Sequence, residues 1–277
     1  MASVRDIRRR IRSVENTAKI TKAMSMIAAS KMRRAQEAAI QGRPYSKRMG
    51  ILLADLAAQP HDEDELHPLL RQRDPKNISL VIITPDRGLT GGLHSKINRS
   101  AGQFVVNQSG SVKVVAVGRK GRDFMMRSGQ DVKAVFSDIG DRPKLTDITP
   151  VTRILIDEYS DEKTDAVFLA YAKYVSTTVQ QPVIMPLLPV VPADIVSQHA
   201  VGYIYEPKND IVLSALLPRF VEIVLYHAVL ESVASEHSAR MVAMRSATDN
   251  ANDMIQDLTV VMNKARQESI TKELLDI

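Results

Sequence analysis

The chain has no cysteine and no tryptophan, and only 4% of its 277 residues are aromatic. Without cysteine there is no disulfide, no thiolate nucleophile and no Cys-based metal site. So few aromatics argue against a surface that stacks nucleic-acid bases. No run of about 18 apolar residues occurs, which predicts that no helix crosses a membrane. Glycine and proline are missing from residues 1–41 and 219–277, so nothing in either stretch must break a helix.

A repeat fills both stretches. Toward the C-terminus Leu230, Ala234, His237, Met241, Met244, Thr248, Ala251, Ile255, Leu258, Met262 and Ala265 recur in alternating steps of four and three. At the N-terminus Val4, Ile7, Ile11, Val14, Ala18, Thr21, Ser25, Ala28, Met32, Ala35 and Ala39 do the same. A period of about 3.5 residues marks a helix that winds around a partner helix. A helix over 219–277 would be roughly 85–90 Å long, longer than any domain this chain can build. It must protrude. The small residues in the middle of the N-terminal seam allow close approach, so the two segments are expected to pair antiparallel. A compact middle domain must then bring Gly42 and Pro218 near each other.

Charge is uneven. Residues 1–48 carry thirteen Lys/Arg against Asp6, Glu15 and Glu37, while the rest of the chain has an acidic excess. Arg8, Arg9, Arg12, Lys19, Lys22, Lys31, Arg33 and Arg34 lie off the seam. With so few acids near by, i,i+4 pairs are scarce and a partner surface is the better reading than a solvated face. Asp6 and Glu15 weaken a transit-peptide reading of the start, and no secretory apolar segment follows. The chain is expected to stay in the compartment where it is made.

Gly42 and Pro44 are expected to interrupt the first helix, which resumes over Tyr45–Ala58. Between the ends, strands at Ile78–Thr84, Val112–Val117, Val132–Phe136 and Ala166–Tyr171 alternate with helices at Leu93–Val106, Arg119–Arg127 and Thr149–Tyr159. That alternation predicts an α/β fold with a mainly parallel sheet covered on both faces. Gln181–Pro192 holds four prolines and suits an extended edge or wrapping segment. Tyr203–Pro207 reads as a short strand ending at a turn. The long helix is expected from about Leu213, with Pro218 tolerated only in its first turn.

Asp86-Arg87-Gly88-Leu89-Thr90-Gly91-Gly92 follows the first strand, where an α/β sheet places a phosphate loop. It lacks the Lys-Ser/Thr of a P-loop, and its glycines do not fit G-x-G-x-x-G. A tight turn with positive φ or close packing is the preferred reading. Gly118-Arg119-Lys120-Gly121 is weaker still. None of the six histidines has metal-motif spacing, and no catalytic grouping emerges. Methionines 24, 26 and 32, and those from Met241 to Met262, read first as core filling, with an adaptable contact surface as the alternative.

Several strings resemble one family, the γ subunit of the F-type ATP synthase. They include Ser13-Val14, Asn16-Thr17, Lys19–Met24 and Ala28–Arg33; Asp86–Leu89 with Gly91-Gly92-Leu93; Tyr203 with Tyr205-Glu206-Pro207; and Ala234–Glu236, Ala239–Met244, Ala247–Ala251 and Asn263–Gln267. Order and spacing agree over essentially the whole chain. The resemblance implies a non-catalytic central rotor shaft: a long antiparallel coiled coil plus a Rossmann-like α/β foot. Its domains would be a helical segment at 1–58, the foot at 76–207 and a coiled-coil helix at 211–277. It implies as partners a hexamer of α and β subunits, the ε subunit and the membrane ring of c subunits. It implies no cofactor, no metal and no membrane insertion. The chain would sit peripherally on the cytoplasmic face of a bacterial plasma membrane, coupling proton flow to ATP synthesis or hydrolysis.

Residue by residue, Arg266 and Gln267 would meet a catch loop of a β subunit, and Arg240 would lie in a coupling segment of the shaft. Lys22 and Met24 would face the levers of the β subunits, and Tyr203, Tyr205 and Glu206 the rotor ring. Thr90 and His94 stand where the family often has Cys and Asn. A nucleotide-binding enzyme using Asp86–Gly92 and a nucleic-acid binder using the basic first helix remain the competing readings.

Overall fold

The computed structural model describes residues 4–57, 67–191, 206 and 209–275. Its elements run α1 (Val4–Ala57), β1 (Asn77–Ile83), α2 (Leu93–Asn107), β2 (Ser111–Val117), α3 (Arg119–Arg127), β3 (Asp131–Phe136), α4 (Leu145–Ser160), β4 (Ala166–Tyr174), β5 (Gln180–Leu188) and α5 (Asn209–Leu275).

The two 3.5-residue repeats become α1 and α5, packed antiparallel. Thr21 Oγ1 lies 2.7 Å from Thr248 Oγ1, and Ser25 Oγ donates to the Met241 carbonyl at 3.2 Å, so position rises on one helix as it falls on the other. Every seam position of both repeats is buried or half-buried, while Arg8, Arg9, Arg12, Lys19, Lys22, Arg33 and Arg34 are exposed. The off-axis hydroxyls also find local acceptors: Thr248 Oγ1 reaches the Met244 carbonyl and Thr21 Oγ1 the Ala18 carbonyl. Thr21, Ser25 and Thr248 therefore sit on the seam without being left unpaired.

Two expected interruptions do not occur. α1 runs unbroken through Gly42 and Pro44 to Ala57. Gly42 is a point of close approach: a Cβ there would come within 2.4 Å of His227 Cε1 on α5. Likewise α5 begins at Asn209, which puts Pro218 in its third turn and not its first. A proline there costs about 3 kcal/mol. Leu213, Leu217 and Val221 around it are at most 3% exposed. Burying each contributes roughly 1.5–3 kcal/mol, enough to outweigh the break. α4 also starts earlier than expected, at Leu145, with Pro150 in its second turn; the Asp147 carboxylate caps the Lys144 N–H at 2.8 Å.

The sheet order is β3-β2-β1-β4-β5, with β1 to β4 mutually parallel and β5 antiparallel at the edge. β1 is buried along nearly its whole length, as a strand covered on both faces must be. Val81 and Ile83 face a core shared with α4, α5 and the end of α1, including Met49, Leu53 and Leu56. Leu80 and Ile82 face the opposite core with Leu93, Ile97 and Met125 of α2 and α3. The proline-bearing segment is edge strand β5, where Pro182 and Pro186 cost no interior ladder bond. The expected strand at Tyr203–Pro207 lies outside the described residues except for Glu206.

One exclusion needs correcting. Within Ile211–Thr271, α5 carries a window of mean hydropathy 1.6, apolar enough by length and composition to cross a membrane. Arg219 and Glu222 break any apolar run here, but an average tolerates them. The physical use of this surface is visible: Leu213, Leu217, Val221, Ile223, Leu225 and Val229 join the core against the sheet.

Candidate functional site at the junction of helix pair and sheet

The parallel strands all point their C-terminal ends toward the emerging helix pair, the place where open α/β sheets bind ligands. Here the loops are fastened to each other. The Asp86 carboxylate accepts the Arg119 N–H through Oδ1 and the Asp138 N–H through Oδ2, both at 2.9 Å. Thr84 Oγ1 accepts the Gly121 N–H at 2.7 Å. Gly118 adopts φ +104°, and a Cβ on it would strike the Thr84 carbonyl at 1.9 Å. Gly91 has φ +55°, and Leu89 in the same turn is also left-handed at φ +65°. The glycine-rich turns thus serve positive φ and close packing.

Helix α5 occupies the crevice. Val229, Ser232, Val233 and Glu236 close over Thr84, Pro85, Asp86 and Gly118, leaving a cavity of only about 50 Å³. Ser235 Oγ donates to the Ala172 carbonyl at 2.9 Å and Ser238 Oγ to the Thr177 carbonyl at 2.7 Å, tying α5 to the end of β4 and its following turn. A nucleotide phosphate here would meet the carboxylates of Asp86 and Glu236 and no P-loop lysine. The geometry therefore speaks against the nucleotide-binding reading of Asp86–Gly92.

Where α5 leaves the crevice, charged groups from α1, α5 and the loop after β3 converge beside the Gly88 carbonyl. Arg240 donates to Glu236 Oε1 at 2.7 Å and lies 3.5 Å from the Gly88 carbonyl. Asp141, in the loop after β3, meets Lys31 Nζ of α1 at 2.5 Å and lies 3.0 Å from His237 Nε2 of α5. His237 Nε2 makes no well-aligned hydrogen bond there, so the contact is a close polar approach and not an ion pair. Burial drives the His237 pKa down to about 4, with Arg240 and Lys31 adding to the effect and Asp141 opposing it. The ring is neutral at pH 7. Burial pushes Glu236 up against the pull of Arg240. For Asp141 burial acts upward, but the Lys31 hydrogen bond and the nearby His237 and Arg240 hold its carboxyl below the usual range.

Of the partner-contact residues expected from the sequence, Arg240 belongs to this cluster, beside His237 of the seam and Lys31 of the basic helix face. Lys22 is exposed and Met24 half-buried on α1, near the level of Thr21 and Ser25. Arg266 and Gln267 are exposed on α5, roughly 40 Å farther along the helix. Glu206 is exposed; Tyr203 and Tyr205 lie outside the described residues. Asp141 was not foreseen, and Lys31 was expected on a basic face turned toward a partner. No local pattern announces a contact among residues 31, 141 and 237.

Residues 3–277 match the model of a family described as ATP synthase. A relative from Dehalococcoides mccartyi, named ATP synthase gamma chain, is 55% identical over 277 residues, covering 100% of this chain and 97% of its own. The chain belongs to the ATP synthase gamma-chain family. A second member, from Chloroflexus aurantiacus, is 47% identical over 281 residues with the same coverage of both chains. Among solved structures, a chain of the Tetrahymena thermophila mitochondrial ATP synthase central stalk and c-ring matches with TM-score 0.64 and 25% identity, over 82% of this chain and 99% of that one. A chain of the Euglena gracilis mitochondrial enzyme shares the fold, with TM-score 0.70 and 20% identity over 99% of this chain and 91% of its own.

Proposed function

We propose that this chain is the central rotary shaft of an ATP synthase and carries no active site of its own. Helices α1 and α5 form the axle inside a hexamer of α and β subunits. The sheet domain is the foot on the c-subunit ring and the ε subunit. Division into a helical segment 1–58, a foot 76–207 and a coiled-coil helix 211–277 follows from that reading. The observation that carries it is the double use of α5: one helix is both half of the protruding rod and the plug of the crevice where an α/β enzyme would bind its ligand.

The exposed basic face of α1, with Lys22 and Met24, meets acidic levers of the β subunits. Arg266 and Gln267 engage a β-subunit loop near the free end of α5, and Arg240 belongs to the segment that couples rotation to catalysis. Tyr203, Tyr205 and Glu206 face the ring. The bacterial relatives support a peripheral position on the cytoplasmic face of a plasma membrane. A shaft must resist torque without locking in one orientation. Exposed ion pairs, worth about 0–1 kcal/mol each, suit such a surface.

The test is assembly. Expressed with candidate α, β, ε and c subunits, the chain should co-purify with a membrane ATPase, and a probe fixed to the sheet domain should turn when ATP is added. Failure to co-purify, or hydrolysis with a stationary probe, would overturn the reading.

A further inference from the structure

Torque passing between the sheet domain and the helix pair must cross the level at which α5 leaves the crevice. Below it both helices are held by apolar packing. α1 contributes Met49, Leu53 and Leu56, and α5 contributes Leu213 through Val229. α5 is also tied to the sheet domain by hydrogen bonds, from Tyr226 Oη to the Pro143 carbonyl and from Ser235 Oγ to the Ala172 carbonyl, and α1 gains a polar tie of its own at Lys31. Beyond it the described seam positions of α1 and α5 pack against each other.

At this level one loop residue reaches both helices. Asp141 Oδ2 is 2.5 Å from Lys31 Nζ on α1, and Oδ1 is 3.0 Å from His237 Nε2 on α5. The two contacts lie on different helices, so rotation of the pair in either sense lengthens one of them. The loop that carries Asp141 is fixed. It turns through positive φ at Asp138 (61°) and Gly140 (81°). The Asp138 N–H is held by Asp86, and its carboxylate by Arg119 at 2.5 Å. Arg240, one turn beyond His237, approaches the Gly88 carbonyl beside Asp86. The ends of β1, β2 and β3 are thereby linked through Asp86 and Asp138 to the two helices of the rod.

We propose that Asp141 is a torsional clamp, a positioning residue that fixes the angle of the helix pair on the sheet domain through Lys31 and His237. Lys31 and Asp141 are both more than a third exposed, so their pair adds little to folding stability. Its contribution is directional. Torsional stiffness at one level separates a clamp from an ordinary surface ion pair. The inference rests on the rotary reading above.

The test uses the assembled complex in membrane vesicles with Lys31→Met, Asp141→Asn and the charge-preserving Lys31→Arg. Three quantities are read: ATP hydrolysis, ATP-driven proton pumping, and the angular fluctuation of a probe on the sheet domain while the hexamer is held fixed. The clamp predicts near-normal hydrolysis and melting temperature for both charge-removing variants. It predicts a wider angular fluctuation and a fall of about threefold in pumping per ATP hydrolysed. Lys31→Arg should restore both, and Lys31→Met with Asp141→Asn together should be no worse than either alone. Unchanged fluctuation in the single variants would overturn the clamp. So would pumping and hydrolysis falling in parallel with melting temperature, which is a plain loss of structure. A wild-type complex that hydrolyses ATP with its sheet domain stationary would defeat the rotary reading instead, before any variant is compared.

Discussion

Between Leu213 and Leu230, α5 holds Leu213, Leu217, Val221, Leu225 and Leu230 at 3% exposure or less; from Asn252 to Leu275 it buries none of its described residues. In that far half Ile255, Leu258, Met262 and Ala265 are half-buried on the seam, while Met254, Val260, Val261, Ile270, Leu274 and Leu275 are open to solvent. One continuous helix thus has two modes of support. Its near half is locked into a domain core by large apolar side chains and satisfied hydroxyls. Its far half has one partner helix and a bare outer surface. Stability should concentrate in the near half, and function that depends on other chains in the far half.

The largest expected effect tests that division directly. Leu217→Ala, at a fully buried site, should cost about 2–5 kcal/mol in urea unfolding of the isolated chain. Leu258→Ala, at the equivalent seam in the far half, should cost about 1 kcal/mol. Equal losses would erase the contrast. Next comes Ile255→Pro, which breaks the far seam at about 3 kcal/mol. Far-ultraviolet circular dichroism should show lost helix while the unfolding midpoint of the sheet domain holds, and assembly with partner subunits should fail. Normal assembly would mean the rod need not be continuous.

Acidification probes the junction between the halves. Unfolded His237 titrates near 6.5 but the folded ring only near 4, so the unfolded chain binds more protons in between. Stability is full above pH 6.5 and falls as pH drops toward 4, by about 3 kcal/mol from this group. Facing it are Asp141 from the β3 loop, Lys31 from α1, and Glu236 and Arg240 from α5. Glu236, raised by burial, offsets part of the loss, and Asp141, lowered, contributes only at still lower pH. His237→Gln should flatten the pH dependence of melting in that window; an unchanged slope would remove His237 as its source. The smallest stability effect belongs to the far end. Replacing Arg266 and Gln267 together by Ala should shift unfolding by no more than about 0.5 kcal/mol while lowering ATP turnover of the assembly. Unchanged turnover would count against their contact role.

The two helices were legible in the sequence because a period of 3.5 is a long-range signal that no single residue can hide. β1 and β4 were legible because burial on both faces demands nearly continuous apolar runs, whereas edge strand β3 alternates and β5 read only as an extended segment. What misled was punctuation. Gly42 and Pro218 read as helix ends from local rules, yet one serves the approach of His227 and the other is overridden by the core around it. The charged junction was illegible for a different reason. Lys31, Asp141 and His237 are brought together only by tertiary packing, and each alone looks ordinary: a basic helix face, a loop aspartate, a seam histidine.

Antiparallel contact between the two ends of the chain underlies everything above, and the absence of native cysteine makes it simple to measure. Thr21→Cys with Thr248→Cys places two thiols at positions whose hydroxyl oxygens are 2.7 Å apart. Mild oxidation should give near-complete intramolecular cross-linking. Thr21→Cys with Ile270→Cys, displaced roughly 33 Å along α5, should give none. A cross-link in the second pair and not the first, or in neither, would contradict the paired rod.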